Sequence, residues 1–215
     1  MGKSAIIAGA SGLVGKQLMY KLLENQNYSK IYVLVRKEMS LDHPKLEQII
    51  VNYDALYEAG INKQIDDAYC CLGTTMKKAG SKEAFYKVDY TYVVNFARYS
   101  QSKGVKNFAL VSAIDSDKNS KIYYSKVKGE TEEKLKVFRF DHLVIARPSF
   151  LLGDREEFRL GEKLALAASV VVTPLLFGKW KRYKPVHCTK VAEALINQML
   201  SDKKGTSIIE SDKIV

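Results

Sequence analysis

The sequence is poor in cysteine and has no long apolar run, and each shortage excludes a class of protein. Its three cysteines do not form a disulfide framework, because Cys70 and Cys71 are adjacent and Cys188 lies far along the chain. The longest apolar stretch, Leu164 to Phe177, is too short to span a bilayer, and the N-terminus lacks the pattern of a secretory signal. We therefore expect a cytoplasmic protein without membrane insertion.

Acidic residues are outnumbered, with 34 lysines and arginines against 24 aspartates and glutamates and a formal net charge of +10. Such an excess is typical of nucleic-acid-binding proteins, but the lysines are scattered over predicted helix faces, so we expect no nucleic-acid partner. The densest basic segment, Lys179–Lys184, indicates a solvated surface loop, with contact to an acidic ligand or partner as the alternative. The three histidines lack metal-ligand spacing, and no metal site is predicted.

Apolar runs alternate with helical spacing through the first 147 residues. After the first run, Ile6–Ala8, strands are predicted at Lys30–Val35, Leu46–Val51, Asp67–Leu72, Asn107–Val111 and His142–Ala146. Helices are predicted at Ser81–Lys103, with Ser81 as its cap and Gly104 behind it, and at Ser125–Val137. This alternation predicts an α/β fold with a doubly wound parallel sheet.

The chain after residue 147 is interpreted as a small lobe on the substrate side of the same domain. Helices are predicted at Leu160–Val170 and Val191–Leu200, and a short strand at Ser207–Ile209. We therefore expect a single domain over residues 1–215, with a nucleotide-binding core in 1–147 and an appended lobe in 148–215.

Three evenly spaced glycines follow the first apolar run and precede an amphipathic segment. Gly9 permits a sharp exit from the strand, Gly12 lets backbone N–H groups approach a pyrophosphate, and Gly15 allows the helix to lie close to the sheet. The helix N-terminus adds oriented donors and a favourable dipole for the anion. The order of strand, turn and helix predicts a dinucleotide site.

The end of the second predicted strand indicates which dinucleotide binds. An NAD-binding protein places an acid there to hold the ribose 2′-hydroxyl, whereas this strand ends in Arg36 and Lys37. Both cations suit the 2′-phosphate of NADP, so we favour NADP(H) over NAD(H). The alternative is that the two residues begin a polar loop.

Ser112, Tyr124 and Lys128 form the candidate catalytic group. Ser112 ends the fifth predicted strand at the sheet edge where ligands bind in open α/β folds. Tyr124 and Lys128 are four residues apart and share one face of the next helix. An ammonium beside a phenol favours its ionised form, and a hydroxyl donor orients a carbonyl. Core packing with a surface lysine is the alternative, but the glycine motif upstream favours the catalytic interpretation.

Together these residues resemble the short-chain dehydrogenase/reductase superfamily, and within it the atypical group typified by the Tat-interactive-protein oxidoreductases. The matching pieces are Gly9-Ala10-Ser11-Gly12, Cys70-Cys71-Leu72-Gly73-Thr74-Thr75, Lys78-Ala79-Gly80, Val127-Lys128-Gly129-Glu130, and Arg147-Pro148 with Asp154-Arg155. They extend over nearly the whole chain, and the Cys-Cys-Leu-Gly-Thr-Thr segment is the most specific.

The resemblance implies an NADP-binding Rossmann fold and assigns residues to the parts of the cofactor. The pyrophosphate loop would be lined by Gly9, Ser11, Gly12, Leu13 and Val14. The adenosine side would be bound by Arg36 and Lys37 at the 2′-phosphate and by Asn52 and Tyr53 beside the adenine. The nicotinamide side would be bordered by Leu72, Gly73 and Thr74, with Arg147–Phe150 as a pocket wall. Tyr124 would be the acid/base, and Lys128 would hold the ribose.

One departure from the family pattern leaves two functions open. Relatives often carry a serine pair at the end of the fifth strand, whereas Ala113 follows Ser112 here, and Ser116 is the one nearby substitute. The first hypothesis is an NADP-dependent oxidoreductase that acts on a small carbonyl or alcohol. The alternative is a catalytically weak NADP(H)-sensing or interaction module. The substrate is not identified, and we expect a monomer or a homodimer.

Overall fold

The computed structural model describes residues 2–61, 63–153 and 178–214 of the chain. Predictions for the apolar stretch Leu164–Phe177, the helix Leu160–Val170 and the pair Asp154-Arg155 lie outside these residues. Among the described residues, no helix has the length and apolar character that a bilayer crossing requires.

The first half of the chain contains four strands and the segments that connect them. These elements are β1 (Lys3–Ala8), α1 (Leu13–Glu24), β2 (Tyr28–Val35), β3 (Leu46–Ile50), a 3₁₀ segment (Tyr53–Glu58), β4 (Asp67–Cys70), α2 (Met76–Ala79), α3 (Lys82–Tyr86), a π turn (Lys87–Thr91) and α4 (Tyr92–Ser102).

The second half continues the alternation of strands and helices. Its elements are β5 (Asn107–Val111), α5 (Tyr123–Lys136), β6 (His142–Arg147), β7 (Leu151–Leu152), a 3₁₀ segment (Gly178–Tyr183), β8 (Val186–His187), α6 (Cys188–Met199) and β9 (Gly205–Glu210).

Seven of these strands form one sheet in the order β3-β2-β1-β4-β5-β6-β9, and all described neighbours are parallel. The predicted doubly wound parallel sheet is therefore confirmed. Strands β2 and β4 lie on opposite sides of β1, so the strand order reverses there and leaves a crevice at the carboxyl ends of β1 and β4. A second, two-stranded sheet pairs β7 with β8.

Both faces of the large sheet are buried, which is why its strands read as apolar runs. Ile7 and Val33 pack with α1 and α6 on one face, whereas Ile6 and Leu34 pack with α4 on the other. Neighbouring residues of a strand point to opposite faces, so the central strands contribute to both cores and are fixed between two helical layers.

The helix predicted at Ser81–Lys103 is present, but a π turn interrupts it. The Ser81 side chain accepts a hydrogen bond from Ala84 N, and Gly104 follows the helix with φ of +81°. The π turn at Lys87–Thr91 widens the helix at this point, since its backbone hydrogen bonds join residues five apart. Asp89 lies within this turn, completely buried.

The sheet extends beyond the boundary predicted at residue 147. The strand predicted at Ser207–Ile209 is longer, and as β9 it pairs with β6 in the large sheet. Helix α6 packs against α1, and Lys21 forms an ion pair with Glu193 at 2.8 Å. The sequence could not reveal this pairing, because strand partners are chosen by contacts between distant parts of the chain.

Candidate functional site

The turn between β1 and α1 brings the backbone close to the carboxyl end of β4. Gly9 has φ of +85°, and a Cβ there would lie 2.6 Å from Cys71 O. A Cβ on Gly15 would lie 2.1 Å from Gly9 O, so a side chain there would push α1 off the turn. These contacts confirm the predicted conformational roles of both glycines.

The first turn of α1 has the features of an anion site. Gly12 is the N-cap, and neither a side-chain cap nor an acidic residue satisfies the first turn. The backbone N–H groups of this first turn and the helix dipole are therefore available to an anion. The loop fits a dinucleotide diphosphate, because the cradle has no Cβ where the backbone approaches closely.

A cavity of about 470 Å³ opens in the crevice beside this turn. The lining residues come from α1 and the turn before it, from the segment after β4, from the end of β5 and the residue after it, and from α2, α5 and β7. They are Ser11, Gly12, Leu13, Val14, Lys16, Gln17, Cys71, Leu72, Gly73, Thr74, Thr75, Lys78, Val111, Ser112, Tyr124, Lys128 and Leu151. Three of these described residues are lysines and none is acidic, so the cavity is suited to an anionic ligand.

The structure brings Tyr124 and Lys128 together on one wall of the cavity. Both side chains project from the start of α5, one helical turn apart. The half-buried Tyr124 ring packs against Phe85, with 5.4 Å between ring centroids. The neighbouring Tyr123 points elsewhere, because its hydroxyl donates to Lys82 O at 3.1 Å.

A buried carboxylate holds the Lys128 ammonium. Lys128 Nζ lies 2.7 Å from Asp89 Oδ1, and the two side chains are 6% and 0% exposed. The other carboxylate oxygen of Asp89 accepts a hydrogen bond from Thr74 N at 2.8 Å. Burial lowers the pKa of Lys128, but Asp89 and Tyr124 outweigh it and the net direction is upward. Lys128 therefore stays charged beside the phenol.

Asp89 is a site residue that the sequence analysis missed. It stands four residues after Phe85 and four before Val93, which are both fully buried, so it falls on the apolar face of its helix. An acid on such a face needs a buried partner. This position was the available signal, although the sequence did not show that the partner is Lys128.

Ser112 lines the same cavity, and its hydroxyl is hydrogen-bonded to other side chains of the protein. Its Oγ lies 2.5 Å from Glu132 Oε1 and 3.1 Å from Ser116 Oγ. Arg147 Nη2 donates to Glu132 Oε2 at 2.6 Å, and Arg147 Nε lies 3.1 Å from Oε1. The arginine of the predicted Arg147–Phe150 wall is thus engaged in an ion pair, and Leu151 is the cavity-lining residue of that region.

The residues assigned to the adenosine side lie beside the cavity and do not line it. Arg36 and Lys37 are exposed and follow β2 directly, and Asn52 follows the adjacent β3. The Asn52 side chain accepts from Asp54 N at 2.9 Å. Tyr53 is buried and donates to Leu34 O at 3.1 Å. The four residues are therefore grouped at the carboxyl ends of two neighbouring strands.

The two adjacent cysteines differ in position, because Cys70 is buried and Cys71 is half-buried and borders the cavity. Burial raises the pKa of Cys70 to about 12 and also raises that of Cys71. A thiol with a raised pKa contains little thiolate at neutral pH, and the thiolate is the nucleophile. The structural interpretation of these cysteines is therefore favoured over a redox role.

Comparison with known proteins places the chain among nucleotide-binding proteins. A family model described as NAD(P)H-binding matches residues 9–167. Protein HTATIP2 of Rattus norvegicus is 34% identical over 221 residues, which cover 99% of this chain and 88% of that protein. Protein FMP52, mitochondrial, of Eremothecium gossypii is 30% identical over 215 residues, which cover 99% and 96% respectively.

A solved structure shares the fold. A short chain dehydrogenase family protein from Francisella tularensis subsp. tularensis SCHU S4 superposes with a TM-score of 0.70 at 14% identity and covers 99% of each chain. At that identity the likeness shows the architecture alone.

The comparisons overturn one expectation from the sequence. The chain was expected to be cytoplasmic, but the FMP52 proteins of several fungi are named mitochondrial. The prediction was wrong because it rested on cysteine content and on the pattern of the N-terminal residues, and neither distinguishes the cytosol from the mitochondrion.

Proposed function

Because this chain belongs to the NAD(P)H-binding family, as an atypical short-chain dehydrogenase/reductase that resembles HTATIP2, we propose that it is an NADP(H)-dependent oxidoreductase. It would transfer hydride to or from a carbonyl or alcohol carbon of a small molecule. One observation carries the proposal: Tyr124 and Lys128 share a cavity wall with the glycine turn, and Asp89 holds the lysine in place.

The proposed cofactor site extends from the cavity to the ends of β2 and β3. The backbone N–H groups of Leu13 and Val14 would bind the diphosphate, since no side chain caps that helix turn. The exposed cations Arg36 and Lys37 would bind the 2′-phosphate. The remaining contacts are assigned to Gly9, Ser11 and Gly12 at the loop, to Asn52 and Tyr53 at the adenine, and to Leu72, Gly73 and Thr74 at the nicotinamide ribose.

The protein's part in the reaction is to orient the substrate and move one proton. NADP(H) supplies the hydride chemistry when it is bound. In the reducing direction, the Tyr124 hydroxyl donates its proton to the carbonyl oxygen as that oxygen gains negative charge. Lys128 stabilises the phenolate that remains and binds the ribose, because an ammonium has three donors and Asp89 is its described ion-pair partner.

A nucleotide sensor is the second candidate, and a specific observation favours it. Ala113 occupies the place of a second serine, and the Ser112 hydroxyl is hydrogen-bonded to Glu132 rather than free. A protein in which no serine hydroxyl orients the substrate carbonyl beside Tyr124 would bind NADPH without turning over a substrate.

A carbonyl screen on two tyrosine variants separates the candidates. NADPH absorbance is followed with a panel of aldehydes and ketones for the wild type, Tyr124→Phe and the control Tyr123→Phe. We expect Tyr124→Phe to lose at least ~10²-fold of turnover, as for a missing general acid, whereas Tyr123→Phe keeps its rate. Equal rates in all three proteins would remove Tyr124 from the mechanism. Tight NADPH binding with no turnover across the panel would favour the sensor.

A further inference from the structure

We propose that Glu132 is a positioning residue that turns the Ser112 hydroxyl proton away from the cavity. Ser112 then offers an accepting oxygen to a ligand, whereas Tyr124 is the hydroxyl proposed to donate to the substrate. The inference refines the proposed function and rests on it for its catalytic meaning. Ser112 would accept a hydrogen bond from a ligand, whereas a serine that orients a substrate carbonyl donates one.

The direction of the Ser112 hydrogen bond follows from the chemistry of its partner. The Glu132 side chain is 2% exposed and forms a forked ion pair with Arg147, through Nη2 at 2.6 Å and Nε at 3.1 Å. An ionised carboxylate accepts hydrogen bonds and cannot donate one. The proton in the 2.5 Å contact between Ser112 Oγ and Glu132 Oε1 therefore comes from Ser112.

Ser116 cannot supply the missing donor. Its Oγ lies 2.6 Å from Ala113 O, which is a carbonyl oxygen and accepts only. The single Ser116 proton is used in that bond, so the 3.1 Å contact between Ser116 Oγ and Ser112 Oγ receives no proton from Ser116. Both hydroxyl protons at the end of β5 are thus directed at protein atoms.

A network of charged side chains from four other segments extends from Glu132. Arg147 also binds Glu210 of β9 at 3.0 Å. Arg182 of the second 3₁₀ segment lies 3.7 Å from Glu210 and 2.7 Å from Asp115, which precedes Ser116. The hydrogen bond from Arg147 to Glu132 raises the pKa of Arg147 above its ordinary value, so the guanidinium remains a donor. Glu132 therefore keeps a cationic donor beside its side-chain oxygens.

This polarity defines the ligand group that Ser112 can bind. A carbonyl oxygen facing Ser112 would meet lone pairs, whereas a hydroxyl or N–H group would donate to it. Substrates with such a donor near the reacting carbon are therefore favoured over plain aldehydes and ketones.

Neutron diffraction on wild-type crystals exchanged into D₂O tests the proposal directly. We expect the Ser112 deuteron on the line from Oγ to Glu132 Oε1, and a deuteron directed into the cavity or at Ser116 would overturn the proposal. The map does not depend on any substrate. A failure of the oxidoreductase hypothesis is therefore distinguishable from a failure of this one.

Glu132→Gln should reverse the direction of the hydrogen bond between residue 132 and Ser112, because the Arg147 guanidinium has only donors. The amide oxygen turns to Arg147, the NH₂ group turns to Ser112, and the Ser112 deuteron then points away from residue 132. Glu133→Gln, at the exposed neighbouring position, is the control and leaves the Ser112 deuteron unchanged. An unmoved deuteron in Glu132→Gln would contradict a positioning role. If Glu132→Gln does not fold, the wild-type map decides.

Discussion

Each of the two edges of the sheet has a buried aspartate that pairs with a lysine, and the two pairs differ in what else they contact. At the amino edge, Asp67 pairs with Lys3 at 2.9 Å, and at the carboxyl edge Asp89 pairs with Lys128 at 2.7 Å. Asp67 accepts further hydrogen bonds from Tyr28 OH at 2.6 Å and Asn107 Nδ2 at 2.8 Å. Its lysine is 36% exposed and reaches water.

The carboxyl edge leaves its charged pair incomplete on the side of the cavity. The Lys128 side chain is 6% exposed and borders the cavity, so its remaining donors are available to a ligand. A carboxylate whose hydrogen bonds are all made by the protein stabilises the fold, whereas a buried ammonium beside a cavity keeps donors for a ligand. This comparison assigns the stability of the fold to the amino edge and ligand binding and chemistry to the carboxyl edge. Four measurements test that assignment.

The largest effect is expected at the amino edge. Asp67→Ala removes the acceptor of three donors and should lower the free energy of unfolding by about 3 kcal/mol, because buried partners are left unpaired. Urea unfolding measures the loss, and Asp66→Ala is the control. Asp66 is exposed and accepts from Ser4 N at 2.7 Å, so its loss is about 1 kcal/mol or less. Weaker NADPH binding by folded Asp67→Ala would contradict the separation of the two edges.

Cofactor preference is the next effect in size. The Arg36→Ala, Lys37→Ala double variant should reduce the preference for NADPH over NADH by ~2–3 kcal/mol, as two charge-assisted contacts are lost. The control is Lys203→Ala with Lys204→Ala, an exposed basic pair that precedes β9 at the amino edge. Calorimetric titration with both nucleotides measures the change. Equal wild-type affinity for NADH and NADPH would exclude the 2′-phosphate assignment.

The smallest effect is a pH dependence at the amino edge. Burial and Lys203 lower the pKa of His142 against a weaker opposing effect of Asp67. The unfolded chain therefore binds this proton more readily, and stability falls as the pH drops below about 6.5 toward the lowered folded pKa. One such group contributes a slope of at most about 1.4 kcal/mol per pH unit. Urea unfolding between pH 5 and pH 7 should show a shallower slope for His142→Gln, and an unchanged slope would remove His142 as the cause.

Much of the fold was predictable because its signals are local. The glycines at 9, 12 and 15 follow a strand and precede a helix, and the buried strands read as apolar runs. The position of β9 beside β6 was not predictable, because nothing within Gly205–Glu210 specifies its partner strand.

Part of the lining of the cavity was predictable. Tyr124 and Lys128 were chosen from their spacing and Ser112 from its place at the end of a strand, and all three border the cavity. The acids behind them, Asp89 and Glu132, were missed, since a sequence does not show which buried acid meets which base. The direction of a hydroxyl proton depends on those acids and therefore required the structure.

The most direct test of the separation between the two edges is to remove each lysine in turn and titrate NADPH. Lys128→Met should weaken NADPH binding by about 1.5–3 kcal/mol, the range for a hydrogen bond to a charged group, whereas Lys3→Met should leave the affinity unchanged. Thermal unfolding confirms that both variants are folded at the temperature of the titration. Equal affinities in the two variants, or a loss confined to Lys3→Met, would contradict the assignment of nucleotide binding to the carboxyl edge.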